Sequence, residues 1–238
     1  MSIKHRLGNW IIPRLPLSRF AFDLFRGEIN AAVNRMQWRL LPHLWWRRRR
    51  LRKLRGIYVN VGSGGFILPG FVHVDLFGGA PGVIRWDCTS RLPFAGGAAK
   101  GIRIEHFLEH VEPRQQLPSL LADCHGILEP GGILRVVVPD AGRFLQAYSS
   151  GSDAAFAELG FPKPFPADLP TRMDVVNHIF HQWHEHRWGY DFETLADRLR
   201  TAGFQTIAQR GFGESSDPHM TGDREQHRAY SLYVEAIK

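Results

Sequence analysis

Short β-rich runs, each closed by glycines or by an acidic residue, constrain this chain more than any other feature. Ile57, Val59 and Val61 form the first, which ends in Gly62-Ser63-Gly64-Gly65. Phe71 to Val74 form the second, ending at Asp75, and Gly82 to Trp86 the third, ending at Asp87. Gly101 to Ile104 form the fourth, ending at Glu105. Leu117, Leu120, Leu121, Cys124, Ile127 and Leu128 then recur at helical spacing until Pro130-Gly131-Gly132 stops them. Ile133 to Val138 is apolar but for Arg135, close to what a strand covered on both faces requires. Asp191 is placed to cap a helix that carries Leu195, Leu199 and Ala202 and ends at Gly203. Phe204 to Gln209 and Ser231 to Ile237 supply the last two strands. Strands alternating with helices in this way predict an α/β domain built on an open, mostly parallel sheet.

At 238 residues the chain suits one large domain with an appendage. Two cysteines, Cys88 and Cys124, are too few for a disulfide scaffold, and no apolar run approaches the roughly 18–20 residues of a membrane span. A cytoplasmic protein is expected. The net charge of +7 is unevenly placed: residues 1–55 hold 14 Lys/Arg against two acids, whereas residues 56–238 are net acidic. That shift sets a boundary near Gly56, with a basic helical arm before it and the α/β domain over 56–238. In the arm, Leu17, Phe20, Ala21, Leu24 and Phe25, then Ile29, Ala32, Val33 and Met36, predict one or two amphipathic helices that Pro42 breaks. Trp45-Trp46 and the basic run Arg47 to Arg55 follow. Three uses fit: an apolar stripe packed on the domain, peripheral contact with an anionic inner-membrane surface, or a grip on nucleic-acid phosphates. No RNA- or DNA-binding motif supports the last.

Ligands of open α/β sheets bind at the carboxyl ends of the strands. The glycines after the first strand, Asp75, Asp87, Glu105-His106 and Asp140 all fall at that edge. Glycine lets backbone approach a ligand closely, a carboxylate ending the second strand can accept both ribose hydroxyls, and a polar group after the third can take a purine amine. An adenosine-containing ligand follows. No Gly-Lys-Ser/Thr follows the glycines, which excludes a P-loop. Only eleven positions separate Gly64 from Asp75, and Pro69-Gly70 interrupts them, so no long helix can offer its N-terminus to a pyrophosphate. A ligand without phosphates fits better.

Val59-Asn60-Val61-Gly62-Ser63-Gly64, Leu68 to Asp75, Leu92-Pro93-Phe94, Glu105-His106-Phe107-Leu108-Glu109-His110 and Leu128-Glu129-Pro130-Gly131-Gly132-Ile133-Leu134-Arg135 resemble the class I S-adenosylmethionine-dependent methyltransferases, and among them a bacterial type 11 subgroup. Tyr190 to Leu195, Ala202-Gly203-Phe204 and Ser231 to Ala236 extend the resemblance over residues 56–238. It implies a Rossmann-like seven-stranded, mostly parallel sheet with helices on both faces, and S-adenosyl-L-methionine as cofactor. Gly62, Ser63 and Gly64 would pass under its methionine part, Asp75 with Leu76 would bind the ribose, and Asp87 with Cys88 would flank the adenine. Asn60 and Glu105 would complete the set. Asn60 stands where the family often has an acid, which weakens its hold on the cofactor's amino group.

His106 is the expected general base, with His178 or Asp140 as alternatives. His106, Glu109 and His110 match an inverted zinc-protease signature, but a third ligand is lacking and the segment follows a strand at a cofactor edge, so no metal is assigned. His178, His181, His184 and His186 cluster around Trp183 and Trp188 without cysteines, and read as a partly exposed helix and loop. They belong to residues 150–189, a proline-containing, loop-rich insertion placed to act as a lid, where Arg172 and Arg187 would meet an acidic substrate or solvent. The expected activity is methyl transfer to a hydroxyl of a small-molecule or glycan acceptor. A non-catalytic adenosyl-ligand-binding module docked to a membrane or partner, and an RNA methyltransferase gripping with residues 1–55, are the other readings.

Overall fold

The computed structural model describes residues 18–163 and 165–238; residues 1–17, with Leu17 of the expected arm helix, and Pro164 of the insertion lie outside the described residues. β1 (Ile57–Val61), β2 (Phe71–Asp75), β3 (Ile84–Arg85), β4 (Ala99–Glu105), β5 (Leu128–Pro139), β6 (Thr206–Arg210) and β7 (Ser231–Ile237) form one Rossmann-like sheet in the order β3-β2-β1-β4-β5-β7-β6. The first five pair in parallel, and β7 runs antiparallel to both β5 and β6. The strand order reverses between β1 and β4, so their carboxyl ends open the crevice where such sheets take ligands.

Alternate residues point to opposite faces of a sheet, and the register here keeps like beside like. Val59, Ile102, Leu134 and Ala236 line up across β1, β4, β5 and β7, as do Val61, Ile104, Val136 and Val234 one step further on. The helices are α1 (Arg19–Leu40), α2 (Pro42–Leu51), α3 (Gln116–Ile127), α4 (Ala141–Ser150), α5 (Asp153–Glu158), α6 (Arg172–His181) and α7 (Phe192–Thr201). Leu51 of α2, Leu117, Leu121 and Cys124 of α3, and Leu195 and Leu199 of α7 cover the apolar face and form one core with it.

The other face carries a polar row. His73, Asn60, Arg103, Arg135 and Glu235 stand side by side across β2, β1, β4, β5 and β7, and all are buried. Two arginines in direct register repel each other unless a carboxylate joins them. Asp223 does so: Oδ1 accepts from Arg103 at 2.7 Å and from Arg135 Nε at 3.0 Å, and Oδ2 from Arg135 at 2.6 Å. Asp223 belongs to segment 211–230, whose two short 3-10 turns, Pro218–Met220 and Glu225–His227, are the helical cover on this side. Helices thus cover both faces, long on the apolar one and single-turn on the charged one.

The arm breaks where expected, with Leu41 extended and Pro42 at the first position of α2. Its docking differs from the expected apolar stripe. α1 is anchored by Asn34 and Trp38, whose Nδ2 and Nε1 both donate to the Arg85 carbonyl, at 3.1 and 2.9 Å. Phe25, Ile29, Met36 and Leu40 are instead exposed. At 100° per residue they span about 60°, on the side of the helix opposite Asn34. Segment 150–189 is more helical than its prolines suggest. A capping box of Thr171 and Asp174 starts α6, which buries Val175, Val176 and Ile179 against Phe144 of α4 and Phe156 of α5 in a second core.

Candidate active site

The turn after β1 is shaped by two left-handed glycines, Gly62 (φ +66°) and Gly64 (φ +55°). A Cβ on Gly62 would collide with the Phe107 ring from the turn after β4, so the two strand ends can close on each other only with glycine there. Nothing lies within 4 Å of a Cβ built on Gly64, which leaves that side of the turn open. Ser63 is buried between them, and its hydroxyl has no hydrogen-bond partner. Beneath the turn, Asn60 Nδ2 donates to the Phe66 carbonyl at 3.4 Å and lies 3.4 Å from His73 Nδ1, so this amide orients the loop.

Asp75 joins two turns. Its Oδ2 accepts from the Gly64 N–H at 2.9 Å, and its Oδ1 from the Phe77 N–H at 2.6 Å and from Gly78. A carboxylate can accept about four hydrogen bonds, so half-buried Asp75 retains capacity for a further donor. Leu76 beside it is half-buried, and its carbonyl accepts from Arg85 Nε at 3.2 Å. Asp87 and Cys88 lie deeper. Asp87 is taken by Arg35 of α1 at 2.5 Å on Oδ2 and by Thr89 Oγ1 at 2.7 Å on Oδ1, while its N–H donates to Asn34 Oδ1 at 3.0 Å. Cys88 is buried against the Val74 and Trp86 carbonyls, and burial pushes its thiol far up, which makes it inert.

Glu105 is likewise held within the protein. Its oxygens accept from Arg103 at 2.9 Å, Arg224 Nε at 3.0 Å and His227 Nδ1 at 3.1 Å. Burial alone would raise its pKa, but these partners outweigh it and hold the carboxyl well below the usual range. His106 follows in a left-handed conformation, φ +50°, which costs a non-glycine residue energy and marks a backbone held by its surroundings. Its ring stacks on His227 with centroids 3.7 Å apart, and Nε2 lies 2.8 Å from Ser231 Oγ. Burial, then His227, push its pKa well below 6.5, so the imidazole is neutral at physiological pH.

The other two candidate bases are placed differently. Asp140 is the N-cap of α4, accepting from the Arg143 N–H at 3.1 Å. His178 on α6 meets Phe165, and Phe165 meets Tyr230, which in turn meets His106, so two aromatic rings stand between the histidines. Arg172 is paired with Asp153 at 2.6 Å within the insertion. Of the four clustered histidines, His186 is buried, whereas His181 and His184 are exposed. The Arg103–Asp223–Arg135–Glu235 network had a sequence signal in charges set inside otherwise apolar strands. Nothing local named their partners.

No protein-family model matches the sequence, and no curated protein matches it. The structure is similar to that of a SAM-dependent methyltransferase from Archaeoglobus fulgidus, at 16% identity and a TM-score of 0.47, over 91% of this chain and 99% of that one. It is similar to the 1,6-didemethyltoxoflavin-N1-methyltransferase of Burkholderia thailandensis, solved with 1,6-didemethyltoxoflavin and S-adenosylhomocysteine bound, at 15% identity and a TM-score of 0.47, over 94% and 92% of the two chains. An S-adenosylmethionine-dependent methyltransferase from Mesorhizobium loti is 17% identical, with a TM-score of 0.45, over 82% of this chain and 97% of that one.

Proposed function

We propose that the protein is an S-adenosylmethionine-dependent methyltransferase that methylates a hydroxyl of a small-molecule or glycan acceptor. The observation that carries this reading is Asp75 at the carboxyl end of β2, hydrogen-bonded to the Gly64 N–H beside the buried, unpaired Ser63 hydroxyl. An orphaned hydroxyl, an open glycine turn and a carboxylate with spare lone pairs at one switch point fit an adenosyl ligand that lacks phosphates. When bound, that ligand supplies an electrophilic sulfonium methyl. The chain's part is to bind and orient. Asp75 would accept the ribose hydroxyls, Ser63 would donate to the ligand, and the Gly62–Gly64 backbone would carry its methionine part. Asn60 sets the loop, Leu76 and Cys88 contribute wall, and Asp87 and Glu105 act through the frames they hold together.

His106 serves as the general base, taking the acceptor's proton on a ring that is neutral at physiological pH. The insertion at 150–189 acts as a lid over this edge. The arm adds peripheral contact with an anionic membrane surface, because Trp45, Trp46, Arg47, Arg49 and Arg50 are all exposed on α2. No helix among the described residues is long and apolar enough to cross a membrane.

Calorimetric titration of S-adenosylhomocysteine tests the reading. Saturable one-to-one binding is expected, weakened about tenfold to a hundredfold in Asp75→Ala, as loss of hydrogen bonds to a charged group predicts. Absence of binding to folded wild-type protein overturns it. Binding without turnover on any acceptor moves the protein to a non-catalytic adenosyl-binding module.

A further inference from the structure

Glu109 lies in the turn after β4, is 1% exposed, and neither carboxylate oxygen has a hydrogen-bond partner. His106 Nδ1 comes within 3.5 Å of Oε1 without the alignment of a hydrogen bond. A buried carboxylate in that condition is costly unless a proton or a cation meets it. His110 and His186 stand beside it. One ligand atom from each of the three residues lies within 4.8 Å of the other two, and the two rings meet edge to face.

The rings are held as metal ligands are held. His110 gives its Nδ1–H to the Glu185 carbonyl at 3.0 Å, and His186 gives its Nδ1–H to the Ile179 carbonyl at 2.6 Å. A carbonyl only accepts, so the proton sits on Nδ1 and the lone pair on Nε2. A backbone carbonyl on the second nitrogen is the usual device that fixes tautomer and ring orientation in metal-binding histidines. Burial keeps both rings neutral, with His186 pushed down to about 4. The backbone is fastened too, since the Arg187 and Trp188 N–H groups both donate to the Glu109 carbonyl, at 2.7 and 3.3 Å. Once Glu109 gives up its proton, the cluster offers three electron-pair donors.

We propose that Glu109, His110 and His186 form a binding site for a divalent first-row transition metal, zinc in the first instance. Two imidazoles and one carboxylate suit that class of ion, and three protein ligands leave a tetrahedral ion one open position. Of the His106–Glu109–His110 spacing the cluster takes Glu109 and His110 but not His106, and the fold brings its third member, His186, from the insertion. The ion would join the turn after β4 to segment 150–189. This proposal stands apart from the methyl-transfer reading.

The test titrates Zn²⁺ into the full chain, stripped with a chelator, in competition with a chromogenic chelator. One equivalent is expected to bind. His186→Gln and Glu109→Gln should each weaken it more than tenfold, since even outer-sphere changes cost about 10–100-fold. His110→Gln, at a half-exposed position, decides the matter if Glu109→Gln does not fold by circular dichroism. A His181→Ala/His184→Ala double variant should bind as wild type does. Failure of the wild-type protein to compete for zinc, equal binding by the ligand variants, or loss confined to the double variant overturns the proposal. The first of these leaves Glu109 protonated, in keeping with a carboxyl that burial pushes up to about 8.

Discussion

At the scale of single residues, the site is built from side chains that differ in how much freedom their surroundings leave them. Asp75 has capacity to spare, Asp87 and Glu105 have almost none, and Ser63 has an unmet need. His106 sits between these cases, pinned by its stack on His227 and its contact with Ser231 yet neutral and partly accessible. Its left-handed backbone limits the choice of variant, and asparagine tolerates that conformation better than alanine. His106→Asn is therefore expected to reduce turnover about a hundredfold or more, the scale of a lost general base, while S-adenosylhomocysteine affinity stays near wild type. A methyl-labelled donor offered with a panel of sugar and small hydroxyl acceptors reads the first quantity, and calorimetry the second. Unchanged turnover removes the role.

At the scale of elements, the two sides of the arm are placed differently. Asn34, Arg35 and Trp38 clamp α1 to the end of β3 through Arg85 and Asp87. The outer side carries Phe25, Ile29, Met36 and Leu40, and α2 continues with Trp45 against Arg49, whose guanidinium lies 4.3 Å from the ring centroid. Exposed indoles among arginines suit a headgroup layer, with about 1 kcal/mol per cation near an anionic surface. Sedimentation with anionic vesicles is expected to bring down the wild-type protein and much less of an Arg47→Ala/Arg49→Ala/Arg50→Ala variant, and to fade with salt. Equal sedimentation of the two, or steep salt-dependent binding to RNA in its place, sinks the membrane role. The amphipathic period was readable in the sequence. Which stripe docks was not, because a polar anchor, Asn34, satisfies the Arg85 carbonyl and the Asp87 N–H better than an apolar face can.

At the scale of the whole molecule, the charged face of the sheet makes stability depend on pH. Glu105 faces Arg103 on its own strand, Arg224 and His227 on segment 211–230, and through Arg103 reaches Asp223. Its folded pKa is depressed, so the unfolded chain binds its proton first as pH falls. The stabilisation is whole above the ordinary glutamate value of about 4.3 and drains away below it. Thermal melts from pH 7 to pH 3 should show wild type flat until about pH 4.5 and falling below. Glu105→Gln should start about 3–5 kcal/mol less stable, because it strands buried cations, and should fall less steeply in acid. A parallel decline in both would mean another group carries the acid sensitivity.

What the sequence by itself determined is the part that depends on near neighbours in the chain. Alternating Val and Ile set the strands, Gly62 and Gly64 set the turn, Pro42 set the helix break, and Asp75 fell at the end of β2 because strand length and turn chemistry are local. Only the tertiary structure decided which charges meet. Asp87 went to Arg35, Glu105 to Arg224 and His227, and Asp223 to Arg103 and Arg135, each across a span of chain that carries no periodic signal. The physical reason is that a charge must find a partner once it is buried, and which groups are buried together is settled by strand register and by the packing of segments 150–189 and 211–230.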